Sequence, residues 1–270
     1  WGVATFASRA AVTSGNAVHK AALKARAQII EAAANMLETK QTDIDLKNGK
    51  AWQKSKDRSV SLAEVATASN PLRYAFNEAS KTATQFAPAS KHDGPALAEG
   101  QHPGIVATDW YSPPHAAWAY GVHAAIVEVD PELCSVAIKR YVVIHDCGKM
   151  INPMIVDGQI LGGVAQGLGG ALFERLEYGK DGVLQNPNFV DFLMPFATEV
   201  PNVELFHMET PSPLNPLGVK GVGEAGTIAT AQVIASAIED ALGEFDIQPI
   251  RHVPVTPSML HEKLRNSQMG

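Results

Sequence analysis

Between residues 16 and 38, apolar side chains recur at helical spacing. Ala17, Ala21, Ala25 and Ala32 alternate with Val18, Leu23, Ile29, Ile30, Met36 and Leu37, and no Gly or Pro interrupts them. This predicts a helix, preceded by a Ser/Thr/Ala-rich loop over 1–15. Residues 44–52 alternate around Asn48-Gly49, a two-residue hairpin signal. Ser61 and Glu64 have capping-box spacing and predict a short helix to Ser69. Residues 70–103 are polar and turn-rich, which predicts a surface excursion. Strand patterns over 118–130 and 135–145 meet at Asp130-Pro131-Glu132. Asn152-Pro153 is a helix start, an Asx cap followed by Pro at the first position, and predicts a helix to about residue 176. Beyond it we expect a hairpin at Lys180-Asp181-Gly182, a strand at 203–209 and a Pro/Gly-rich loop at 210–226. An apolar helix at 227–242, a strand at 247–255 and a terminal helix from Thr256-Pro257 complete the pattern. Strands and helices do not alternate regularly. The expectation is an α+β fold with mixed sheets, hairpins and packed helices.

Composition narrows the function. The chain has 270 residues, 46% apolar and 19% charged, enough for one large or two intimate domains with a sizeable core. A formal net charge of −6 argues against nucleic acid as a partner. The longest apolar run, residues 160–173, is too short and Gly-rich to span a bilayer. Two cysteines, Cys134 and Cys147, without a CxxC predict a reduced, cytoplasmic chain. The start at Trp1, inside a patterned segment, leads us to expect a piece or processed subunit of something larger.

Two constellations carry chemistry. Gly158, Gly162, Gly163, Gly167, Gly169 and Gly170 lie inside one predicted helix. Each costs roughly 1 kcal/mol relative to Ala, so something must offset about 5 kcal/mol. Gly163, Gln166 and Gly170 share a face, with Gln159 a turn earlier. That face admits either a flat ligand or a second helix. The other constellation is Gly221-Val222-Gly223-Glu224-Ala225-Gly226. It matches GxGxxG, but Pro211, Pro213 and Pro216 leave no central strand to feed a dinucleotide turn. Glu224 would also occupy the pyrophosphate position. The loop presents its own carboxylate, as a general base or as a structural partner of Lys220. His145-Asp146-Cys147 reads as a strand end with a turn, and no His or Cys has metal-ligand spacing. Ser8-Arg9 is either a phosphate-binding pair or an ordinary surface loop.

Three blocks in order carry a family resemblance. They are Thr5-Phe6-Ala7-Ser8-Arg9; Asp146-Cys147-Gly148-Lys149-Met150-Ile151-Asn152-Pro153 running to Gly163-Val164-Ala165-Gln166-Gly167; and residues 213–224, ending Lys220-Gly221-Val222-Gly223-Glu224. The chain resembles, over essentially its whole length, the C-terminal part of the molybdopterin-binding large subunit of the xanthine dehydrogenase / aldehyde oxidase / carbon monoxide dehydrogenase family, the molybdenum hydroxylases. The resemblance implies that family's molybdopterin-binding domain fold. It implies that residues 1–270 form the C-terminal molybdopterin-binding region of a larger subunit.

The resemblance also implies roles. Glu224 matches the catalytic glutamate, and Gln166 the glutamine facing the pterin. Ala7, Ser8 and Arg9 match a loop against the cofactor, and Gly223 borders it. Ala10 departs from the Ser or Thr of many relatives, leaving one hydroxyl contact in doubt. The family's earlier Gly-Phe loop, upstream glutamine and substrate loop are not in these 270 residues. The implied cofactor is molybdenum-molybdopterin in the cytosine dinucleotide form. The implied partners are the remainder of the molybdenum subunit, a 2Fe-2S subunit, an FAD subunit and a small-molecule substrate. The implied reaction hydroxylates an aldehyde or N-heterocyclic carbon with water-derived oxygen. A carbon monoxide dehydrogenase large subunit is the alternative within the family. A nicotinamide-dependent dehydrogenase and a non-catalytic scaffold are the alternatives outside it.

Overall fold

The computed structural model describes residues 4–69 and 104–267, so the expected excursion over 70–103 lies outside the described residues. The chain divides into two compact units, Asn16–Ser112 and the pair Trp1–Gly15 with Pro113–Gly270.

In the unit Asn16–Ser112, the expected long helix is α1 (Asn16–Met36). It is followed by an antiparallel sheet of β1 (Ile44–Lys47), β2 (Lys50–Gln53) and β3 (Arg58–Ser61). The β1–β2 turn is Asn48-Gly49 with both φ positive, at 52° and 71°, the geometry a tight hairpin requires. β3 was not expected, because Arg58-Ser59-Val60-Ser61 holds one apolar residue and gives no alternation to read. The capping box holds at the start of α2 (Leu62–Ala68). Ser61 Oγ accepts from the Glu64 amide at 3.1 Å, and the Ser61 amide donates to Glu64 Oε2 at 2.7 Å. Ala33, Ala34, Leu37, Ile44, Ala51 and Val65 form the core.

The other unit is built on β4 (Tyr120–Asp130) and β5 (Ser135–Asp146), antiparallel with a bulge at Ile126/Val127. β6 (Val203–Met208) then lies parallel to β5, from Tyr141↔Val203 to Asp146↔Met208. The crossover between β5 and β6 carries α3 (Pro153–Leu168), capped by Asn152 Oδ1 accepting from the Ile155 amide at 3.3 Å. α3 is shorter than expected: a π-helical turn at Gly169–Phe173 ends it. The apolar helix expected at 227–242 is two helices, α4 (Ala225–Ile228) and α5 (Thr230–Ala241). The Thr230 hydroxyl donates to the Gly226 carbonyl at 2.6 Å and competes there with a helical N–H. α6 (Pro257–Ser267) closes the unit. Period-two residues of β5, Tyr141 and Val143, meet period-3.6 residues of the helices: Ile160, Val164 and Leu168 of α3, Ile234 and Ile238 of α5, and Leu260 of α6.

Three expectations are corrected. Residues 11–15 are a π-helical turn rather than loop. The expected 180–182 hairpin contributes one isolated bridge, Tyr178↔Leu184. Residues 247–255 form no strand: Pro249 and Pro254 remove ladder donors, and the Val253–Pro254 bond is cis. Among the described residues no helix is long and apolar enough to cross a membrane.

The core has a pH signature. Burial pulls His123 and His145 below the ordinary histidine value of 6.5, and His145 is further lowered by neighbouring His207. Unfolded imidazoles therefore bind protons that the native ones refuse. Stability is fully present above pH 6.5 and is lost as pH falls below it. We expect the melting midpoint of the purified protein to drop between about pH 7 and about pH 5, by roughly 2–4 °C for each kcal/mol lost. A midpoint that stays flat over that window would show that both rings titrate normally. At the alkaline end, burial pushes Tyr141 from 10 up to about 12, so the stability that the neutral phenol contributes is fully present below pH 10 and is lost as pH rises from there through about 12.

Candidate functional site

The site forms where the end of β5 meets the Pro/Gly-rich loop. The Lys220 amide donates to the Cys147 carbonyl at 2.7 Å, and the Lys149 amide to the Gly218 carbonyl at 2.9 Å. Gly148 (φ 67°) makes this approach possible, since a Cβ there would stand 2.3 Å from the Gly218 carbonyl oxygen. The three prolines do not feed a strand. Instead the Asn215 side chain takes the place of one: its Nδ2 donates to the Val219 carbonyl at 2.8 Å, and its Oδ1 accepts from the Val219 amide at 3.1 Å. The GxGxxG match therefore lacks its strand, which removes the basis for a nicotinamide-dinucleotide turn at 221–226.

Glu224 stands at the N-cap of α4 with an exposed side chain. Ser8 holds it at two points: Ser8 Oγ donates to Glu224 Oε2 at 2.7 Å and accepts from the Glu224 amide at 2.9 Å. The expected alternative, a salt bridge from Lys220, does not form, and among the described residues Glu224 has no ion-pair partner. Lys220 turns to Asp146 instead, at 3.3 Å. Burial pushes the Asp146 carboxyl up. The Thr210 hydroxyl, the Gly148 and Thr210 amides and Lys220 outweigh burial and bring it down to about 2. Burial also raises the neighbouring Cys147 thiol, which marks it as a packed residue and not a nucleophile.

The loop bearing Ser8 is unusual. Ala7 and Ser8 both have left-handed backbones, φ 50° and 51°. For non-glycine residues this costs of order 1–3 kcal/mol each and persists where surrounding bonds over-determine it. The Gly221 position is part of that constraint, since a Cβ there would come within 2.8 Å of Ser8 Cβ. Arg9 makes no ion pair with Glu224; its guanidinium stacks 3.7 Å over the Phe6 ring.

The Gly-rich helix divides its glycines between two tasks. Gly163 and Gly167 face inward. A Cβ on Gly163 would stand 2.8 Å from Gly226 Cα, and one on Gly167 would stand 2.5 Å from Thr230 Cβ. The common face expected for Gly163, Gln166 and Gly170 is thus split at Gly163, which packs on the chain itself. Gly158 and Gly162 have nothing within 4 Å of a would-be Cβ. With exposed Gln159 and Gln166 they span about 100° of the helix circumference. The Thr227 hydroxyl donates to the Gly163 carbonyl at 2.9 Å and lies 3.4 Å from Gln166 Oε1, which ties Gln166 to the start of α4. Gly223 lies beside both Ser8 and Gln159: its would-be Cβ is 3.4 Å from Ser8 Oγ and 3.5 Å from Gln159 Oε1. Ser8, Gly223, Glu224 and Gln159 therefore converge, with Gln166 about two helical turns further along α3. Gln159 was read only as a flanking amide. Asp146, which anchors the loop, was read as a strand end and as the head of a family block with no role of its own, and Thr210 gave no signal beyond a polar residue. Among the described residues no three His, Cys, Asp or Glu side chains are placed to hold a metal ion.

These residues suit a large, flat cofactor that takes hydrogen bonds. Two helix glycines have no packing reason among the described residues, two exposed amides flank them, and a strained serine loop borders them. Comparison with known proteins agrees. The molybdopterin cofactor-binding domain model matches residues 1–201. The nicotine 6-hydroxylase large subunit of Paenarthrobacter nicotinovorans is 37% identical over 95% of this chain and 29% of its own length. Quinoline 2-oxidoreductase from Pseudomonas putida 86 superposes with TM-score 0.78 at 32% identity, over 98% of this chain and 31% of that one. CO dehydrogenase from Oligotropha carboxidovorans superposes with TM-score 0.80 at 27% identity, over 100% of this chain and 30% of that one. The chain thus spans about a third of the length of the proteins it matches. It belongs to the molybdopterin cofactor-binding domain family of the molybdenum hydroxylases.

Proposed function

We propose that this chain is the base-bearing part of a molybdenum hydroxylase, active together with the remainder of the large subunit. The observation that carries the reading is the Glu224 carboxylate. It is exposed, has no cationic partner among the described residues, and is aimed by a two-point bond to Ser8. When bound, the molybdenum-molybdopterin group supplies the two-electron redox chemistry. Glu224 takes the proton of the water-derived oxygen as that oxygen attacks the substrate carbon. Ser8 orients the carboxylate. Gln166, on the exposed side of α3, would hold the pterin together with Ala7, Arg9 and Gly223. The substrate is an aldehyde or an N-heterocycle. Nicotine 6-hydroxylase and quinoline 2-oxidoreductase, whose names state N-heterocyclic substrates, support the latter. Carbon monoxide is the second reading, supported by the CO dehydrogenase structure.

The finer assignments follow the same family logic. We infer the cytosine dinucleotide form of the pterin, electron transfer to 2Fe-2S and FAD partner subunits, and a cytoplasmic setting. Two buried free thiols, Cys134 and Cys147, suit a reducing compartment. Metal, pterin and flavin analysis of the native complex tests the assignment. Stoichiometric molybdenum and pterin are expected, and a complex free of both would overturn it.

The chain also exposes apolar side chains that a self-sufficient domain buries. Phe189 and Val190 are 86% and 88% exposed, and Phe196 is 75% exposed. We expect residues 1–270 produced alone to retain no molybdopterin and to bind a hydrophobic dye strongly. Stoichiometric cofactor on the isolated chain would contradict this dependence.

A further inference from the structure

The base and the cofactor loop leave one polar cluster unexplained. Asp146 is buried and Lys220 is largely so, their side chains 1% and 9% exposed. The Asp146 carboxylate accepts from the Gly148 amide at 2.8 Å, from the Thr210 amide at 3.3 Å and from the Thr210 hydroxyl. Lys220 Nζ donates to Asp146 Oδ1 at 3.3 Å and to Thr210 Oγ1 at 2.9 Å, and it lies 4.6 Å from the centre of the Tyr120 ring. The Tyr120 hydroxyl is 3.0 Å from the same Thr210 oxygen.

A buried ion pair is poor evidence for stability, because desolvation offsets most of the Coulomb gain. What it can provide is a single register. This one joins four pieces of chain: the start of β4, the end of β5, the residue two past β6, and the loop that carries Glu224. Lys220 is four residues before Glu224, and Gly221 and Gly223 stand between them. That short, glycine-containing span has a fixed point at each end: the Asp146–Lys220 pair before it and the Ser8–Glu224 bonds after it.

We propose that Asp146, Thr210 and Lys220 form a positioning cluster that sets where the Glu224 carboxylate lies. The inference rests on Glu224 being the base. Misplacement of a reacting group by about 1 Å can cost on the order of 100-fold in rate. In the cofactor-loaded complete enzyme, Lys220→Met is expected to lower kcat by roughly 10- to 100-fold, with KM within about 3-fold and molybdenum content unchanged. Amide exchange over residues 218–224 should become faster in the same variant. Lys220→Arg, which keeps the charge, should restore most of both losses. Thr210→Val removes the bridging hydroxyl but leaves the ion pair, and it should give a smaller loss of the same kind even if Lys220→Met fails to load. Wild-type kcat in both Lys220→Met and Thr210→Val, with Glu224→Gln inactive, would overturn the positioning role and leave the base assignment standing. An active Glu224→Gln enzyme would overturn the base assignment itself, and the positioning role with it.

Discussion

Replacing Glu224 with Gln lowers turnover by at least about 100-fold while molybdenum content stays normal. The substitution keeps the size of the side chain and leaves an oxygen that can still accept from Ser8 Oγ, now 2.7 Å from the carboxylate. It removes only the capacity to take a proton. General-base assistance is worth typically 10²–10⁴-fold, so the fall is expected in kcat and in kcat/KM together. Steady-state kinetics on the purified complex, with metal analysis of the same preparation, measures it. Turnover within a few-fold of wild type would make Glu224 a structural residue and end the mechanism proposed here.

The second large effect lies at the seam between α3 and α4. A methyl group on Gly226 would stand 2.2 Å from the Ile160 carbonyl oxygen and 2.8 Å from the Val164 amide nitrogen. Both are backbone atoms inside α3, so neither can swing aside. Gly226→Ala must push the two helices apart, at a cost of about 1–3 kcal/mol or more. Gly226 is two residues beyond Glu224, so the displacement moves the Glu224 carboxylate and the loop that Ser8 holds. We expect a lower melting midpoint together with reduced cofactor loading. Gly163→Leu acts on the same seam from the other side, because its Cβ would meet Gly226 Cα at 2.8 Å. Gly158→Ala is the control. It meets nothing within 4 Å inside the chain, so it should leave the fold of this chain intact or steady it by roughly 1 kcal/mol. If Gly226→Ala melted and loaded like wild type, the seam would be far looser than the close backbone approach requires.

Much of the local structure was legible because it is encoded locally. The Asn48-Gly49 turn, the Ser61/Glu64 capping box and the Asn152-Pro153 helix start depend on residues within a few positions of each other. All three are present as read. Glu224 was legible as a displayed carboxylate because glycines and a helix start surround it in sequence. The family blocks supplied the roles of Ser8 and Gln166, which no local pattern could assign.

Long-range proximity decided the rest. Ser8 and Glu224 are 216 positions apart, and only the folded unit brings the hydroxyl to the carboxylate. Whether Lys220 pairs with Glu224 or with Asp146 could not be read from spacing, since Lys220 is near Glu224 in sequence and 74 positions from Asp146. The burial of Asp146 at the end of β5 settles it, because a carboxylate out of water requires donors. The glycines of α3 carry the same lesson. Their composition announces that something approaches the helix closely. Only the placement of Gly226 and Thr230 separates Gly163 and Gly167, which face the chain's own backbone and side chains, from Gly158 and Gly162, which face outward. Turns, caps and the display of the Glu224 carboxylate are thus short-range properties of this sequence. The aim of that carboxylate and the division of the glycine helix are set by contacts that exist only after the sheet and helices have packed.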